Sequence, residues 1–276
     1  MANEQNSLQR ARFGGIDRLY GAGAVTRLAD AHVCVVGIGG VGSWAVEALV
    51  RSGIGELTLI DADDVCVSNT NRQLHALDGE YGRAKAEVMA QRARAINPAV
   101  KVHVVADFLT SSNLWELLGR EGLPPYDAVV DACDALKVKV EMIAFCRRRK
   151  IPIVVSGSAG GRVDPTLVTA RDLSKTEHDA MLALVRQKLR DDYGWTRNPK
   201  RYFGVQAVFS RENANGMASA SGEADGAMCR TRASGDSALK LDCSGGLGAA
   251  THVTGTFAFV AVSRVLEKIL AAKPVS

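Results

Sequence analysis

Apolar, β-branched runs alternate along the chain with stretches of helical period. The apolar runs predict five strands, over residues 32–37, 56–61, 101–106, 127–132 and 152–156. In the stretches between them, apolar residues recur three or four positions apart and predict helices, over 41–51, 83–96, 112–119 and 137–149. This alternation predicts an α/β, doubly wound, mostly parallel sheet with helices on both faces.

The pattern changes after residue 156. A turn-rich stretch leads to a predicted extended run over 166–170 and then to a charged helix over 174–190. Ser174 and Glu177 fit a capping box at the start of that helix.

Two stretches near the C-terminus differ in composition. Residues 212–249 are dominated by Ala, Gly and Ser, have few large apolar side chains, and predict a mobile loop. The apolar stretch 245–270 also contains a histidine, threonines and glycines. We therefore expect its last two-thirds to form a core helix rather than a membrane span.

Composition indicates a globular protein. The 276 residues are 47% hydrophobic and 23% charged, enough for one large domain. Six cysteines include no CxxC pair, which indicates reduced thiols and no zinc motif. The five histidines are predicted to form no metal-spaced cluster, although His75 is a candidate to support a site. The N-terminal residues lack the apolar core of a secretory signal, so we expect a cytoplasmic location.

The formal net charge of +4 is mild, but basic residues cluster in two segments. Residues 147–150 are all basic, and residues 186–201 contain six basic against two acidic side chains. Each segment is suited to a nucleic-acid backbone or to a solvated helix face. Trp195, Tyr202 and Phe203, in and beside the second segment, are suited equally to base stacking and to a core.

A glycine-rich turn over residues 37–42 follows the first predicted strand and fits the pattern GxGxxG. Gly37 permits the tight turn, Gly39 lets backbone approach a phosphate, and Gly42 lets the next helix pack closely. The start of that helix offers N–H groups to an anion. Asp61 ends the second strand, where it can bind a ribose hydroxyl. Such a Rossmann-like site serves NAD, FAD and ATP equally.

Two cationic side chains further along favour ATP. Arg72 lies in "SNTNRQ" and Lys85 lies in "GRAKAE". A dehydrogenase has no special need for these side chains, whereas Arg and Lys together suit a triphosphate.

Several motifs follow one another in a recognisable order along most of the chain. They are "RFGGIDRLYG", the glycine loop, "LIDADDVCVSNTNRQ", the helix lysine, "VVDACDA", "IPIVVSGSAGGRVDP" and "VTGTFAFVA". In this order they resemble the ThiF/MoeB/HesA superfamily of ubiquitin-activating-type adenylyltransferases. The resemblance implies one ThiF-type domain over 1–276, made of an N-terminal arm (1–30), a nucleotide-binding core (31–160) and a C-terminal substrate-side extension (161–276).

The resemblance implies roles by position. The ATP contacts would come from Gly37, Gly39, Gly40, Gly42, Asp61, Asn69, Arg72 and Lys85. Asp134 would hold magnesium, a hard cation that prefers oxygen ligands. Arg72, Lys85 and Asp134 would form the catalytic set, and Ala135 stands where the family usually has Asn.

The resemblance also implies a homodimer, in which an arm arginine reaches the partner subunit's ATP. Arg12 and Arg18 are both near the expected place. A monovalent cation, potassium or sodium, is implied as well, without ligands that the sequence identifies.

Within the superfamily, the absence of CxxC and the stretches "GRVDPT", "DLSKTEHD" and "RYFGVQAVFSREN" resemble the tRNA threonylcarbamoyladenosine dehydratase branch (TcdA/CsdL). This branch implies ATP-dependent adenylation and cyclisation of threonylcarbamoyladenosine beside the tRNA anticodon, with release of AMP and pyrophosphate. The two basic segments would then contact tRNA.

Two alternatives remain open from the sequence. One is an adenylyltransferase that activates the C-terminal Gly-Gly of a ubiquitin-like sulfur carrier protein; the other is a nucleotide-dependent scaffold without enzyme activity. Cys229 and Cys243 lie in the predicted loop, and Arg230 beside Cys229 favours its thiolate. The roles of both cysteines, a sulfur-transfer protein as partner, and the isomer of the cyclic product stay open.

Overall fold

The computed structural model describes residues 2–119, 122, 124–213 and 248–271. Most of the predicted loop over 212–249, with Cys229 and Cys243, lies outside the described residues.

Seven strands form one sheet in the order β3-β2-β1-β4-β5-β7-β6. Neighbouring strands are parallel except β6, which is antiparallel to β7 at the edge. The strands are β1 (His32–Val36), β2 (Glu56–Ile60), β3 (Lys101–Val105), β4 (Ala128–Asp131), β5 (Ile153–Ser156), β6 (Val168–Asp172) and β7 (Gln206–Ser210). The predicted mostly parallel α/β sheet is confirmed.

Helices cover both faces of the sheet, because alternate side chains of the central strands are apolar on both sides. The helices are α1 (Ala2–Tyr20), α2 (Ala24–Ala29), α3 (Gly42–Arg51), α4 (Lys85–Ile96), α5 (Leu114–Gly119), α6 (Leu136–Arg149), α7 (Ala180–Tyr193) and α8 (Thr251–Ala271). One face buries α2, α3, α4 and α8, and the other buries α5, α6 and α7.

Helix α8 is the predicted core helix, and Phe257 in its N-terminal half is fully buried. No helix within the described ranges is long and apolar enough to cross a membrane.

The predicted start of α7 was wrong. The helix begins at Ala180, and Asp179 rather than Ser174 caps it by accepting the Leu182 N–H at 2.8 Å. Asp179 also accepts the Ser158 N–H at 2.8 Å, so a contact distant in sequence fixes the boundary. Ser174 lies instead in a 3-10 turn. The sequence also left β7 unassigned.

Two predictions about reactive side chains need correction. Cys34, Cys133 and Cys146 are free, as reduced thiols require, but Cys66 is disulfide-bonded. The histidines do form a group with metal-ligand spacing, because His32 and His103 converge on one carboxylate although they are far apart in sequence.

Candidate nucleotide-binding site

The glycine loop joins the carboxyl end of β1 to α3, the place where open parallel sheets bind nucleotides. Gly37 has a φ of +85°, and a Cβ there would lie 2.8 Å from the backbone of Ala132. A Cβ at Gly42 would lie 1.7 Å from the Gly37 carbonyl oxygen. Both positions therefore require glycine, and the loop lies directly against the end of β4.

Asp61 ties the loop to β2. Its Oδ2 accepts the Ile38 N–H at 2.5 Å, and its Oδ1 accepts the Asp63 N–H at 2.8 Å. Burial raises the pKa of Asp61, and the charge of Lys85 with the two N–H groups only partly offsets this. Each carboxylate oxygen retains a further acceptor site, so a ribose hydroxyl can still bind.

His75 supports the loop from below. Its Nε2 lies 2.7 Å from the Ile38 carbonyl oxygen, and the residue is 1% exposed. Burial, aided by the positive charge of Lys85, lowers the pKa of His75 to about 4, although the bond to Ile38 opposes the shift. The ring is therefore neutral at pH 7, and its Nε2–H must be the donor because the carbonyl can only accept.

Lys85 begins α4 and lies at the rim of the site. Its Nζ is 2.9 Å from Asp63 Oδ2, and its backbone N–H binds the Asp63 carbonyl at 3.0 Å. The Lys85 side chain is 7% exposed and that of Asp63 is 35% exposed. Sequence reasoning missed Asp63, although it stands two residues after Asp61 in the same motif.

Arg72 lies beside the loop, with its Cγ 3.7 Å from a Cβ built at Gly40. Its Nη1 donates to the Ser68 carbonyl at 2.7 Å and to Asn71 Oδ1 at 2.9 Å. A guanidinium has five N–H donors, so others remain for a phosphate.

Asn69 has a structural task as well as its predicted one. It is buried in a 3-10 turn, and its Oδ1 accepts the Cys66 N–H at 3.1 Å. Only its amide NH₂ group is left for a phosphate oxygen.

Asp134 is exposed in the turn between β4 and α6, and a buried ion pair lies beneath this turn. Lys139 Nζ is 2.8 Å from Asp131 Oδ1, with both side chains fully buried, and donates to the Ser156 carbonyl at 3.1 Å. Burial lowers the pKa of Lys139, but the charge and hydrogen bond of Asp131, with smaller contributions from Cys133 and Asp134, together outweigh burial, so the net shift is upward. Sequence reasoning missed this pair; the available signal was a lysine on the apolar stripe of α6.

Most of the predicted site residues thus meet at one edge of the sheet: the glycine loop, Asp61, Asn69, Arg72, Lys85 and the turn of Asp134. Arg12 and Arg18 are exposed on α1, which buried Phe13 anchors. The edge combines N–H groups and two cations with accessible carboxylates, as a nucleotide and its counter-ion require.

A model of the ThiF family matches residues 15–274. The chain belongs to the ThiF family. Two ThiF-family relatives are tRNA threonylcarbamoyladenosine dehydratases. The one from Escherichia coli K12 is 51% identical over 262 residues, covering 95% of this chain and 94% of that protein. The one from Haemophilus influenzae is 49% identical with the same coverage.

Solved structures of related proteins are also similar to this ThiF-family chain. The E. coli tRNA N6-threonylcarbamoyladenosine dehydratase in complex with ATP is 48% identical and has a TM-score of 0.79. The alignment covers 95% of each chain. The same E. coli enzyme in complex with AMP gives an equal TM-score.

Proposed function

We propose that this ThiF-family chain is an ATP-dependent tRNA threonylcarbamoyladenosine dehydratase. The observation that carries the proposal is the assembly of the glycine loop with Arg72, Lys85 and the Asp134 turn at one sheet edge. The 51% identity to the E. coli dehydratase supports the choice of substrate. The proposed nucleotide residues are those that the sequence indicated.

Adenylation is the first proposed step. An oxygen of the threonine carboxylate attacks the α-phosphorus of ATP, a carboxylate–phosphorus bond forms, and pyrophosphate leaves with the electron pair of the broken bond. Arg72 and Lys85 stabilise the charge that develops on pyrophosphate. Asp61 and the N–H groups of the loop orient the nucleotide. For this, Lys85 exchanges the Asp63 carboxylate for a phosphate oxygen.

Ring closure is the second proposed step. A nucleophilic atom of the carbamoyl group attacks the acyl carbon of the same nucleoside, the carbamoyl group loses a proton, and AMP leaves with the former carboxylate oxygen. The nucleoside loses one water in total. Because the attack is intramolecular, it requires no enzyme thiol. Burial raises the pKa of Cys133 well above its ordinary value, so the thiol beside Asp134 stays protonated.

The donor set fits magnesium. Asp134 offers an exposed carboxylate in the turn against the loop, and oxygen donors are what this hard cation prefers. Bound by Asp134 and phosphate oxygens, magnesium would neutralise phosphate charge.

The two basic segments are proposed to contribute to tRNA binding. Arg147 Nε donates to the Phe203 carbonyl at 2.9 Å, which joins the end of α6 to a residue just after the second segment. The fourteen residues of α6 run antiparallel to the strands and place this surface about 21 Å from the loop edge. A tRNA held there must extend along α6 to bring its modified nucleoside to the loop.

Only part of the second segment is available to tRNA. Arg186 donates to the Thr176 hydroxyl, the Arg190 guanidinium lies 5.5 Å over the Phe203 ring, and Arg197 pairs with an aspartate. Phe203 is buried and Trp195 packs edge-on against it at 4.9 Å, so both serve the core. Tyr202 is 68% exposed and can stack on a base.

Lys200 and Arg201 are exposed and form the testable part of this surface. The double variant Lys200→Glu/Arg201→Glu should weaken tRNA binding and flatten its salt dependence by roughly one or two ion equivalents. Lys268→Glu, also exposed, is the control. Equal binding by both variants at low salt would remove this segment from the proposal.

A homodimer with a shared site is also proposed, with Arg12 or Arg18 reaching the partner subunit's ATP. Mixing Arg12→Ala or Arg18→Ala protein with Lys85→Met protein tests it. Activity should return only for the arginine that acts across the dimer, because one site in the mixed dimer then has both groups.

Mass spectrometry of the nucleoside is the decisive test of the reaction. The protein is incubated with ATP, magnesium and tRNA carrying threonylcarbamoyladenosine, and the RNA is digested and weighed. Loss of one water is expected with the native protein and with Asp107→Ala, an exposed aspartate that follows β3. Asp134→Ala should abolish it. No mass change, with pyrophosphate exchange only on addition of a Gly-Gly carrier protein, would replace RNA by protein as the substrate.

A further inference from the structure

Three side chains with metal-binding atoms converge at the edge of the sheet opposite the glycine loop. His32 Nδ1 lies 3.0 Å from Glu56 Oε1, and His103 Nε2 lies 2.9 Å from the same oxygen. One ligand atom of each residue lies within 4.8 Å of the others.

Strand order and register create this convergence. His32, Glu56 and His103 belong to β1, β2 and β3, which are neighbours in the sheet. His32 on β1 stands directly opposite Glu56 on β2. On β3, Lys101 stands opposite Glu56, and His103 follows two residues later. Side chains two residues apart on a strand point to the same face, so His32, Glu56 and His103 share one face of the sheet. Gly37 follows five residues after His32, about 16 Å along the strand. The cluster is therefore separate from the nucleotide-binding edge.

The surroundings orient the buried histidine as a metal ligand requires. The second ring nitrogen of His32, Nε2, lies 2.8 Å from Thr58 Oγ1. The Tyr126 ring packs edge-on against the His32 ring at 4.8 Å. In metal sites, a hydrogen bond to the free ring nitrogen fixes the tautomer and the direction of the liganding nitrogen.

We infer that His32, Glu56 and His103 form a binding site for a zinc-class divalent cation. Two imidazole nitrogens and one carboxylate oxygen are a ligand set that zinc takes, with water as a fourth ligand. Metal–ligand bonds of about 2.0–2.2 Å hold two tetrahedral ligand atoms slightly further apart than the present nitrogen–oxygen distances of 3.0 and 2.9 Å. The histidine nitrogens and the Glu56 oxygen would therefore move apart slightly to bind zinc. Metal entry is open from solvent, because the side chains of His32, Glu56 and His103 are 8%, 27% and 55% exposed.

Lys101 provides an opposing charge. It is the direct partner of Glu56 in the register of β2 and β3 and is exposed. Its ammonium group repels a cation at Glu56, so Lys101→Gln should bind zinc more tightly than the native protein. A cluster held only by hydrogen bonds predicts no such gain.

Zinc binding to the full chain tests the site. Protein without a histidine tag is freed of metal by chelator dialysis and titrated with zinc in competition with a chromophoric chelator. One equivalent should bind. Thr58→Val, which replaces the hydroxyl by a methyl group of similar size, should weaken binding by about 10–100-fold, as loss of a ligand's hydrogen-bond partner does. His103→Ala and Glu56→Gln remove ligands and should weaken it more.

His178→Asn is the matched control. His178 is exposed and has a φ of 55°, which Asn tolerates, and it is remote in sequence from the cluster. This variant should bind zinc as the native protein does. The inference is overturned if native protein binds zinc no more tightly than His103→Ala. The ATP-dependent reaction is measured in parallel and should be unchanged in His103→Ala, so the two proposals fail separately.

Discussion

Two lysine–aspartate pairs lie at the candidate site, one at its rim and one beneath the turn of Asp134, and they differ in their access to solvent. The Lys85–Asp63 pair has a separation of 2.9 Å, and the Asp63 side chain is 35% exposed. The Lys139–Asp131 pair has a separation of 2.8 Å, and both side chains are fully buried. The same chemistry therefore serves two purposes. The Lys85–Asp63 pair, called the open pair here, is reachable by solvent and is proposed to exchange its carboxylate for a phosphate, whereas the Lys139–Asp131 pair, the closed pair, lies buried beneath the turn that carries Asp134.

The closed pair is the more vulnerable to a single substitution. A buried ion pair contributes little net stability compared with apolar residues, but removal of one partner leaves a charge without compensation. Asp131 Oδ2 already has no hydrogen-bond partner among the described residues. Lys139 supplies the cation that Asp131 Oδ1 faces, and the Cys133 N–H at 3.2 Å is a much weaker substitute.

Lys139→Met is expected to have the largest effect on stability. The substitution leaves the Asp131 carboxylate buried without its cation and should lower the free energy of unfolding by about 3–5 kcal/mol. Urea denaturation followed by circular dichroism measures it. Asp131→Asn in the same chain removes the stranded charge and should restore part of the loss. If Lys139→Met alone were as stable as the native protein, the buried Lys139–Asp131 pair would not differ in importance from the exposed Lys85–Asp63 pair.

Lys85→Met should instead impair the reaction. Loss of a group that stabilises developing charge slows chemistry by about 10²–10³-fold. Pre-steady-state release of pyrophosphate measures adenylation directly, and denaturation with urea should show far less loss of stability than in Lys139→Met. If the reaction rate were retained, Lys85 would be a structural lysine like Lys139, and the proposed role would fall.

The pH dependence of stability in His75→Gln tests the surroundings of the Lys85–Asp63 pair. His75 lies under the glycine loop, and the charge of Lys85 helps to lower the pKa of His75. The pKa of about 4 in the folded protein is below the ordinary 6.5, so the unfolded state binds the proton first as pH falls. The stability linked to His75 is complete above pH 6.5 and is lost between pH 6.5 and 4, by about 3 kcal/mol.

The variant isolates this contribution. Gln keeps an N–H donor for the Ile38 carbonyl but does not titrate, so its free energy of unfolding should fall less steeply over that pH range. Urea denaturation at several pH values measures the free energy of unfolding of the native protein and of His75→Gln. The quantity of interest is how the difference between these two free energies changes with pH. Parallel slopes would show that His75 is not buried as a neutral ring.

Much of the fold was predictable because strands that are buried on both faces of the sheet consist of continuous apolar residues, and such runs are easily recognised in the sequence. The five runs of apolar residues became β1 to β5, and every strand end lies within one residue of the predicted end. The start of α7 was not predictable from local residues, because Asp179 also binds the Ser158 N–H across the molecule. Strand β7 was missed because its apolar run follows a stretch read as a basic, aromatic segment.

The candidate site was predictable where chemistry and sequence position coincide. The glycine loop, Asp61, Arg72 and Lys85 stand in continuous motifs. Lys139 stands on the apolar stripe of α6, and its partner Asp131 was read only as part of the motif of Asp134. The cluster of His32, Glu56 and His103 was predicted not to exist, because only the register of three strands joins residues so distant in sequence.

Asp63→Asn is expected to have the smallest effect on stability, and it tests the open pair from its acidic side. Because Asp63 is 35% exposed, water can reach the pair from its acidic side, although Lys85 is only 7% exposed, so the free energy of unfolding should fall by roughly 1 kcal/mol. The lysine, no longer neutralised, should bind the phosphates of ATP more tightly, seen as a lower Kd in equilibrium titration. Asp131→Asn, the equivalent change in the closed pair, should be several times more destabilising. Equal losses in the two variants would mean that solvent access does not distinguish the pairs, and that Lys85 is held by Asp63 too firmly to exchange it for a phosphate.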